Sequence, residues 1–306
     1  MIMILLFLLI FTFFTHYIFH TIFVRGEVFD ITKQKLSKNS KLKKFFGEFQ
    51  SNLNYIESLP PQWLYMKSND GLLLAGRLFR CNNSNKMVIL FHGYRSIAEN
   101  DFSPYFRWYY EHDYNILLVD QRAHGKSEGR YITFGTKERY DVVTWCEYVS
   151  QNFSWVDEII LSGISMGATT VLLASNLNLP KKVKGIIVDS SFTSPRDIIS
   201  KVASSKYGID IDVFLPFLNL FCMMKAKCNI YECSVIDSMK ENELPILFIH
   251  GLSDDFVPSK MTKANYAACH TRKQLVLVDC VTHGFACVYD KEKVQSAMES
   301  FLKSLA

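Results

Sequence analysis

The chain has 306 residues, of which 49% are hydrophobic and 14% aromatic, and a formal net charge of +4. That length and apolar content suffice for a large core and exclude a disordered chain. The mild charge, with much of its basic excess between Arg25 and Lys44, excludes a nucleic-acid-binding body.

The first 24 residues, MIMILLFLLIFTFFTHYIFHTIFV, form an apolar stretch interrupted by threonines and two histidines. A helix of this length covers a hydrocarbon core of about 30 Å. No basic segment precedes it and no small-x-small cleavage site comes after it, which favours an uncleaved single-pass anchor over a signal peptide. Arg25, Lys33, Lys35, Lys38, Lys41, Lys43 and Lys44 crowd its C-terminal flank, so the positive-inside rule places the remainder of the chain on the cytoplasmic side of a cell membrane. Residues 25–58 read as an amphipathic basic connector able to lie on anionic lipid.

Residues 59–306 alternate strands with helices. WLYMKS and LLLAGRLF, joined by Asn69-Asp70-Gly71, read as a hairpin. Further apolar runs lie at 86–93, 114–122, 158–165, 183–191, 244–251 and 273–280, with helical-length amphipathic segments at 98–112, 136–152, 166–178, 259–271 and 290–304. This alternation predicts an α/β fold with a mostly parallel central sheet flanked by helices. The interval 193–243 is too long for a simple crossover and is rich in Phe, Leu and Met, which predicts a small helical cap over the site; a core-packing excursion is the plainer alternative. Eight cysteines (Cys81, Cys146, Cys222, Cys228, Cys233, Cys269, Cys280, Cys287) lack C-x-x-C spacing and several lie in apolar contexts. Buried thiols are expected rather than a disulfide framework or a metal site, and unpaired thiols agree with a reducing compartment.

Within EIILSGISMGATTVLLAS a strand runs into a sharp turn and then a helix. Gly163 and Gly167 flank Ser165 at the spacing a serine needs to project its hydroxyl from a strained elbow at a helix N-terminus. In an open parallel sheet ligands bind beyond the carboxyl ends of the strands. The residues just past the strand ends are His92-Gly93-Tyr94, Asp120-Gln121-Arg122, Ser165, Asp189, His250 with Asp254-Asp255, and His283-Gly284. A serine, an acid and a histidine thus arrive in the chain order Ser…Asp…His. A serine hydroxyl is a poor nucleophile until a base removes its proton; histidine, with a pKa near 6.5, can take that proton and return it, and a carboxylate orients the ring. Ser165, Asp254 and His283 are the candidates for these roles. The amide of Met166 and that of Tyr94, with Arg95 as alternative, are the candidate oxyanion donors. Asp255 and, more remotely, Asp189 compete with Asp254 for the acid; the spacing His-Gly-x-x-Asp before Val257-Pro258 favours Asp254. His92, Gly93, His124 and His250 read as structural supports near the site, and Asp120 and Arg122 as fixing the neighbouring loop through an ion pair or backbone bonds.

LFHGYRS, LLVDQRAHGKSEG, GISMGATT, LFIHGLSDDFVP and VTHGFA stand in register over residues 63–303. Together they resemble the α/β-hydrolases, in particular the bacterial branch described as serine aminopeptidase-like or membrane-anchored hydrolases. The resemblance implies a serine-dependent carboxylic ester hydrolase using Ser165, Asp254 and His283, without metal or organic cofactor. The chain departs from the usual D-x-R-G-H-G at Ala123, a mild change in a turn, and Cys287 and its neighbours are unusual after the histidine. The expected substrate is a small ester with an acyl or lipid-derived group, and membrane lipid is the expected partner of the N-terminal helix. Peptidase action on short peptides would call for an acidic site for the substrate amine, for which Asp210, Asp212 and Glu232 are candidates. A non-catalytic membrane scaffold is the third reading.

Overall fold

Short β-branched runs bounded by turn residues become strands, because only a pleated backbone buries both of their faces between layers of helices. The computed structural model describes residues 2–28, 43–81, 83–208, 210–279 and 283–305. In chain order these form α1 (Ile2–Phe23), α2 (Phe46–Ser58), β1 (Gln62–Lys67), β2 (Leu73–Phe79), β3 (Lys86–Phe91), α3 (Ala98–Glu111), β4 (Tyr114–Asp120), α4 (Glu138–Asn152), β5 (Glu158–Ile164) and α5 (Met166–Ala174). Next come β6 (Val183–Asp189), α6 (Pro195–Tyr207), α7 (Leu215–Phe221), α8 (Val235–Glu241), β7 (Ile246–Gly251), α9 (Ser259–Ala268), β8 (Lys273–Val278), α10 (Ala286–Tyr289) and α11 (Lys291–Lys303). The strands make one eight-stranded sheet in the order β1-β2-β4-β3-β5-β6-β7-β8. β1 and β2 pair antiparallel, as do β2 and β4; every later pairing is parallel.

The turn between β1 and β2 is built by its own side chains. Ser68 Oγ donates to Asp70 Oδ1 at 2.7 Å, and Gly71 takes φ +89°, a region closed to most side chains. One face of the sheet is covered by α2, α3, α10 and α11 through Phe49, Phe106, Tyr109 and Met298. The opposite face is covered by α4, α5, α8 and α9 through Trp145, Leu172, Met239 and Cys269. The strand order reverses between β3 and β5, which opens a crevice at their carboxyl ends.

A third apolar cluster lies outside both layers. It joins Phe19 and Phe23 of α1 to Leu215 and Leu218 of α7 and to Phe134, Met166 and Val257 of the body. The Phe11 and Phe214 rings stack with centroids 5.0 Å apart, and Phe19 lies 6.0 Å from Phe221. α1 is long and apolar enough to cross a membrane. The interval 193–243 divides in two: α6 and α7 pack with α1, whereas α8 contributes Val235 and Met239 to the core beneath the sheet. Seven of the eight cysteines lie among the described residues, and all seven are buried thiols. Of the basic connector, residues 29–42 lie outside the described residues; α2 forms its C-terminal part.

Candidate active site

β5 delivers Ser165 to the crevice with φ +57° and ψ −116°, a strained backbone for a residue with a side chain. The flanking glycines permit this geometry. A Cβ on Gly167 would collide with the Phe91 carbonyl, and one on Gly163 with the backbone of Gly167. α5 starts at Met166, so the amides of its first turn point at the serine without helical acceptors of their own.

The loop after β8 carries His283, and the loop after β7 carries Asp254. His283 Nε2 lies 2.7 Å from Ser165 Oγ, and its Nδ1 lies 2.6 Å from Asp254 Oδ2. A carboxylate can only accept, so Nδ1 carries the proton and Nε2 is left to accept from the serine hydroxyl. Asp254 Oδ1 accepts the amides of Phe256 at 3.0 Å and Val257 at 2.9 Å. Burial opposes its ionisation, but the adjoining His283 and His250 rings outweigh burial and hold the carboxyl well below the usual range. Gly284, at φ +70°, lets the chain turn directly behind the histidine.

The competing acids stand elsewhere. Asp255 is exposed. Asp189 accepts from the Tyr105 hydroxyl at 2.7 Å and the Ser190 hydroxyl at 2.8 Å, and burial raises its pKa. His250 Nε2 is 2.9 Å from the Val257 carbonyl and 3.4 Å from Asp254 Oδ2, while its Nδ1 meets the Thr262 hydroxyl at 2.7 Å. It braces the acid's loop from below.

On the other side of Ser165 lies the loop after β3. A Cβ on Gly93 would sit 3.3 Å from the Ser165 Cβ and 3.2 Å from Asp101 Oδ2, so this loop passes close against the serine. The Gly93 amide donates to Asp101 Oδ2 at 2.6 Å. The Arg95 amide donates to His124 Nε2 at 2.9 Å, which removes Arg95 as an oxyanion donor. His92 and His124 are buried and packed edge to face, and burial lowers their pKa values to about 4 and about 3. Both are therefore neutral hydrogen-bonding struts. His92 Nε2 accepts the Gln121 amide at 3.1 Å.

Asp120 and Arg122 do not pair with each other. Asp120 Oδ2 accepts the Lys126 amide at 2.9 Å, whereas Arg122 forks onto Asp141 with two contacts of 2.6 Å and onto Asp70 at 2.9 and 3.1 Å. Of the acids considered for a substrate amine, Glu232 is tied to Arg139 at 2.7 Å, and Asp212 accepts from Ser200 at 3.1 Å. Two supports of the site were not singled out by motif or spacing. Asp101 sits in the first turn of the helix after the His92-Gly93 loop, a placement that could have marked it. Phe256, whose ring centroid lies 5.1 Å from that of His283, has no local signature.

The sheet order and the crevice define a class: the chain has the α/β-hydrolase fold. A family model described as serine aminopeptidase, S33, matches residues 82–211, which include Ser165 and end before Asp254 and His283. The structure resembles that of an esterase from Pyrococcus furiosus, with a TM-score of 0.67 and 25% identity over 82% of this chain and 95% of the esterase. It also shares its fold with Est1E from Butyrivibrio proteoclasticus, solved with ferulic acid bound, with a TM-score of 0.62 and 21% identity over 79% of this chain and 98% of that one. In sequence, the uncharacterised protein YqkD of Bacillus subtilis is 23% identical over 71% of each chain.

Proposed function

We propose that the chain is a serine hydrolase that cleaves carboxylic esters through a covalent acyl-enzyme. The carrying observation is the continuous contact from Ser165 Oγ through the His283 ring to the Asp254 carboxylate, at 2.7 and 2.6 Å. As Ser165 Oγ bonds to the acyl carbon, its proton passes to His283 Nε2, and the carbonyl oxygen becomes an oxyanion held by the amides of Tyr94 and Met166. Collapse breaks the ester C–O bond, and the leaving alkoxide takes the proton back from His283. Water then repeats the sequence on the acyl-serine and releases the acid. Asp254 keeps the ring in the productive tautomer and stabilises it when charged. His92, Gly93, Asp120, Arg122, Gly163 and Gly167 hold the serine and the oxyanion loop in place.

An ester is favoured over a peptide because Glu232 is engaged with Arg139, Asp212 with Ser200, and Asp210 with the Asp212 amide at 3.0 Å. The apolar cluster that includes Met166 suits an acyl group. α1 serves as a single-pass anchor, with the body on the cytoplasmic side as its basic flank directs. Labelling with a fluorophosphonate tests the reaction: wild type labels and Ser165→Ala does not. Turnover of a chain-length series of p-nitrophenyl esters beside aminoacyl amides separates esterase from peptidase, and preference for the amides would overturn the ester assignment. Protease digestion of the body in intact cells would overturn its cytoplasmic placement.

A further inference from the structure

The proposed anchor is only partly available as a free spanning helix. Its 22 residues extend about 33 Å, matching a hydrocarbon core of about 30 Å with little to spare. Yet Phe11, Thr15, Phe19 and Phe23, on one face of the helix from near its middle to its end, lie against the protein, with Phe11 stacked on Phe214. Among the described side chains before Phe11, Ile2, Met3, Ile4, Leu5, Leu6, Leu9 and Ile10 are exposed, and the helix up to Ile10 is about 14 Å long, less than half of the core. If α1 is immersed over its apolar length, the segment packed beside it is immersed as well.

The outward face of that segment has the chemistry this requires. Val213, Leu220 and Met224, with Met223 beside them, are each at least 50% exposed, and Phe217, at the same helical spacing and 47% exposed, meets Phe11 of α1 edge to face. The stripe continues the exposed apolar surface of α1 and ends at exposed Lys225 and Lys227, cations suited to anionic headgroups. An apolar surface of this kind on a soluble face would be anomalous.

We infer that residues 213–224 form a second membrane element, which lies in the acyl layer of a phospholipid leaflet alongside α1. The inference rests on the reading of α1 as an anchor. The inner face of the same segment packs in the cluster that contains Met166, so insertion places the reacting serine's surroundings next to the acyl layer.

The test uses the full chain in phosphatidylcholine–phosphatidylglycerol vesicles, with an environment-sensitive thiol-reactive dye at Leu220→Cys, Met224→Cys, Leu9→Cys or Glu147→Cys; unsubstituted chain supplies the labelling background. Phospholipids brominated along the acyl chain should quench most of the emission at positions 9, 220 and 224 and leave 147 bright. Quenching at 9 with 220 and 224 bright and water-exposed overturns the inference and leaves the anchor standing. Dyes at 220 and 224 shielded from water but not quenched would assign the stripe to a protein partner, such as a second copy, and overturn it too. If position 9 is also unquenched and the chain fails to float with vesicles, anchor and inference fall together.

Discussion

Tyr94 Oη donates to the carbonyl of Ile22 at 2.8 Å, and Arg95 Nη2 donates to those of Thr21 at 2.8 Å and Val24 at 3.0 Å. The last carbonyls of α1 have no helical donors, so the loop beside Ser165 caps the N-terminal helix. Gly26 belongs to the same contact, since a Cβ there would press on the Arg95 guanidinium at 2.8 Å.

Arg95→Ala therefore releases both α1 and the loop. Charge-assisted hydrogen bonds contribute about 1.5–3 kcal/mol, and part of that will appear as a lower melting temperature in detergent. Because the loop supplies an oxyanion donor in the proposed reaction, kcat for a p-nitrophenyl ester is expected to fall with little change in KM. An unchanged kcat would separate the helix cap from catalysis.

Asp254→Asn keeps an oxygen for the Phe256 and Val257 amides but presents the wrong partner to His283 Nδ1. The ring then adopts the tautomer that cannot take the serine proton. A fall in kcat on the order of 10⁴ is expected, as in serine proteases, with the fold retained by circular dichroism. A loss under tenfold would remove Asp254 from the mechanism.

Acid should weaken the fold through two buried histidines. His92 and His124 stay neutral to about 4 and about 3 when folded, because burial penalises the charge, whereas unfolded histidine titrates near 6.5. Below pH 6.5 the unfolded chain binds protons that the folded chain refuses, so stability falls by about 1.4 kcal/mol per pH unit for each ring down to about pH 4. The Asp254 carboxyl, held low by its histidine neighbours, loses its contribution only at more acidic pH. Denaturant midpoints at pH 7.5, 6 and 5 will show the slope, and His124→Gln should flatten it.

Arg122 is 5% and Asp141 6% exposed at the side chain, so Arg122→Ala strands a buried carboxylate. A loss of about 3–5 kcal/mol is expected from equilibrium unfolding. Asp70, 39% exposed, contributes less, and Asp70→Asn should cost under about 1 kcal/mol. Equal effects would mean that Asp70, not Asp141, carries most of what the arginine contributes.

The strands, the mostly parallel sheet and the elbow were legible because each depends on residues adjacent in sequence: an apolar run, a glycine at a turn, a polar group just past a strand. The caps on α1 were not, since Ile22 and Tyr94 meet only through tertiary packing, and an apolar helix face reads alike whether lipid or protein covers it. Arg122 illustrates the same limit, because its partners lie 19 and 52 positions away and nothing local marks them. The long interval before β7 read as one insertion because Val235 and Met239 differ in composition little from the phenylalanines and leucines of α7; only the sheet beneath them distinguishes the two.

The obstacles around Gly163 and Gly167 are main-chain atoms, the Phe91 carbonyl and the Gly167 peptide. Trimming a neighbouring side chain elsewhere in the chain cannot make room for a methyl group at either position. Genetic selection for second-site suppressors of Gly167→Ala should therefore return true revertants and nothing else, whereas lesions in the α1–α7 packing should be readily rescued from a distance.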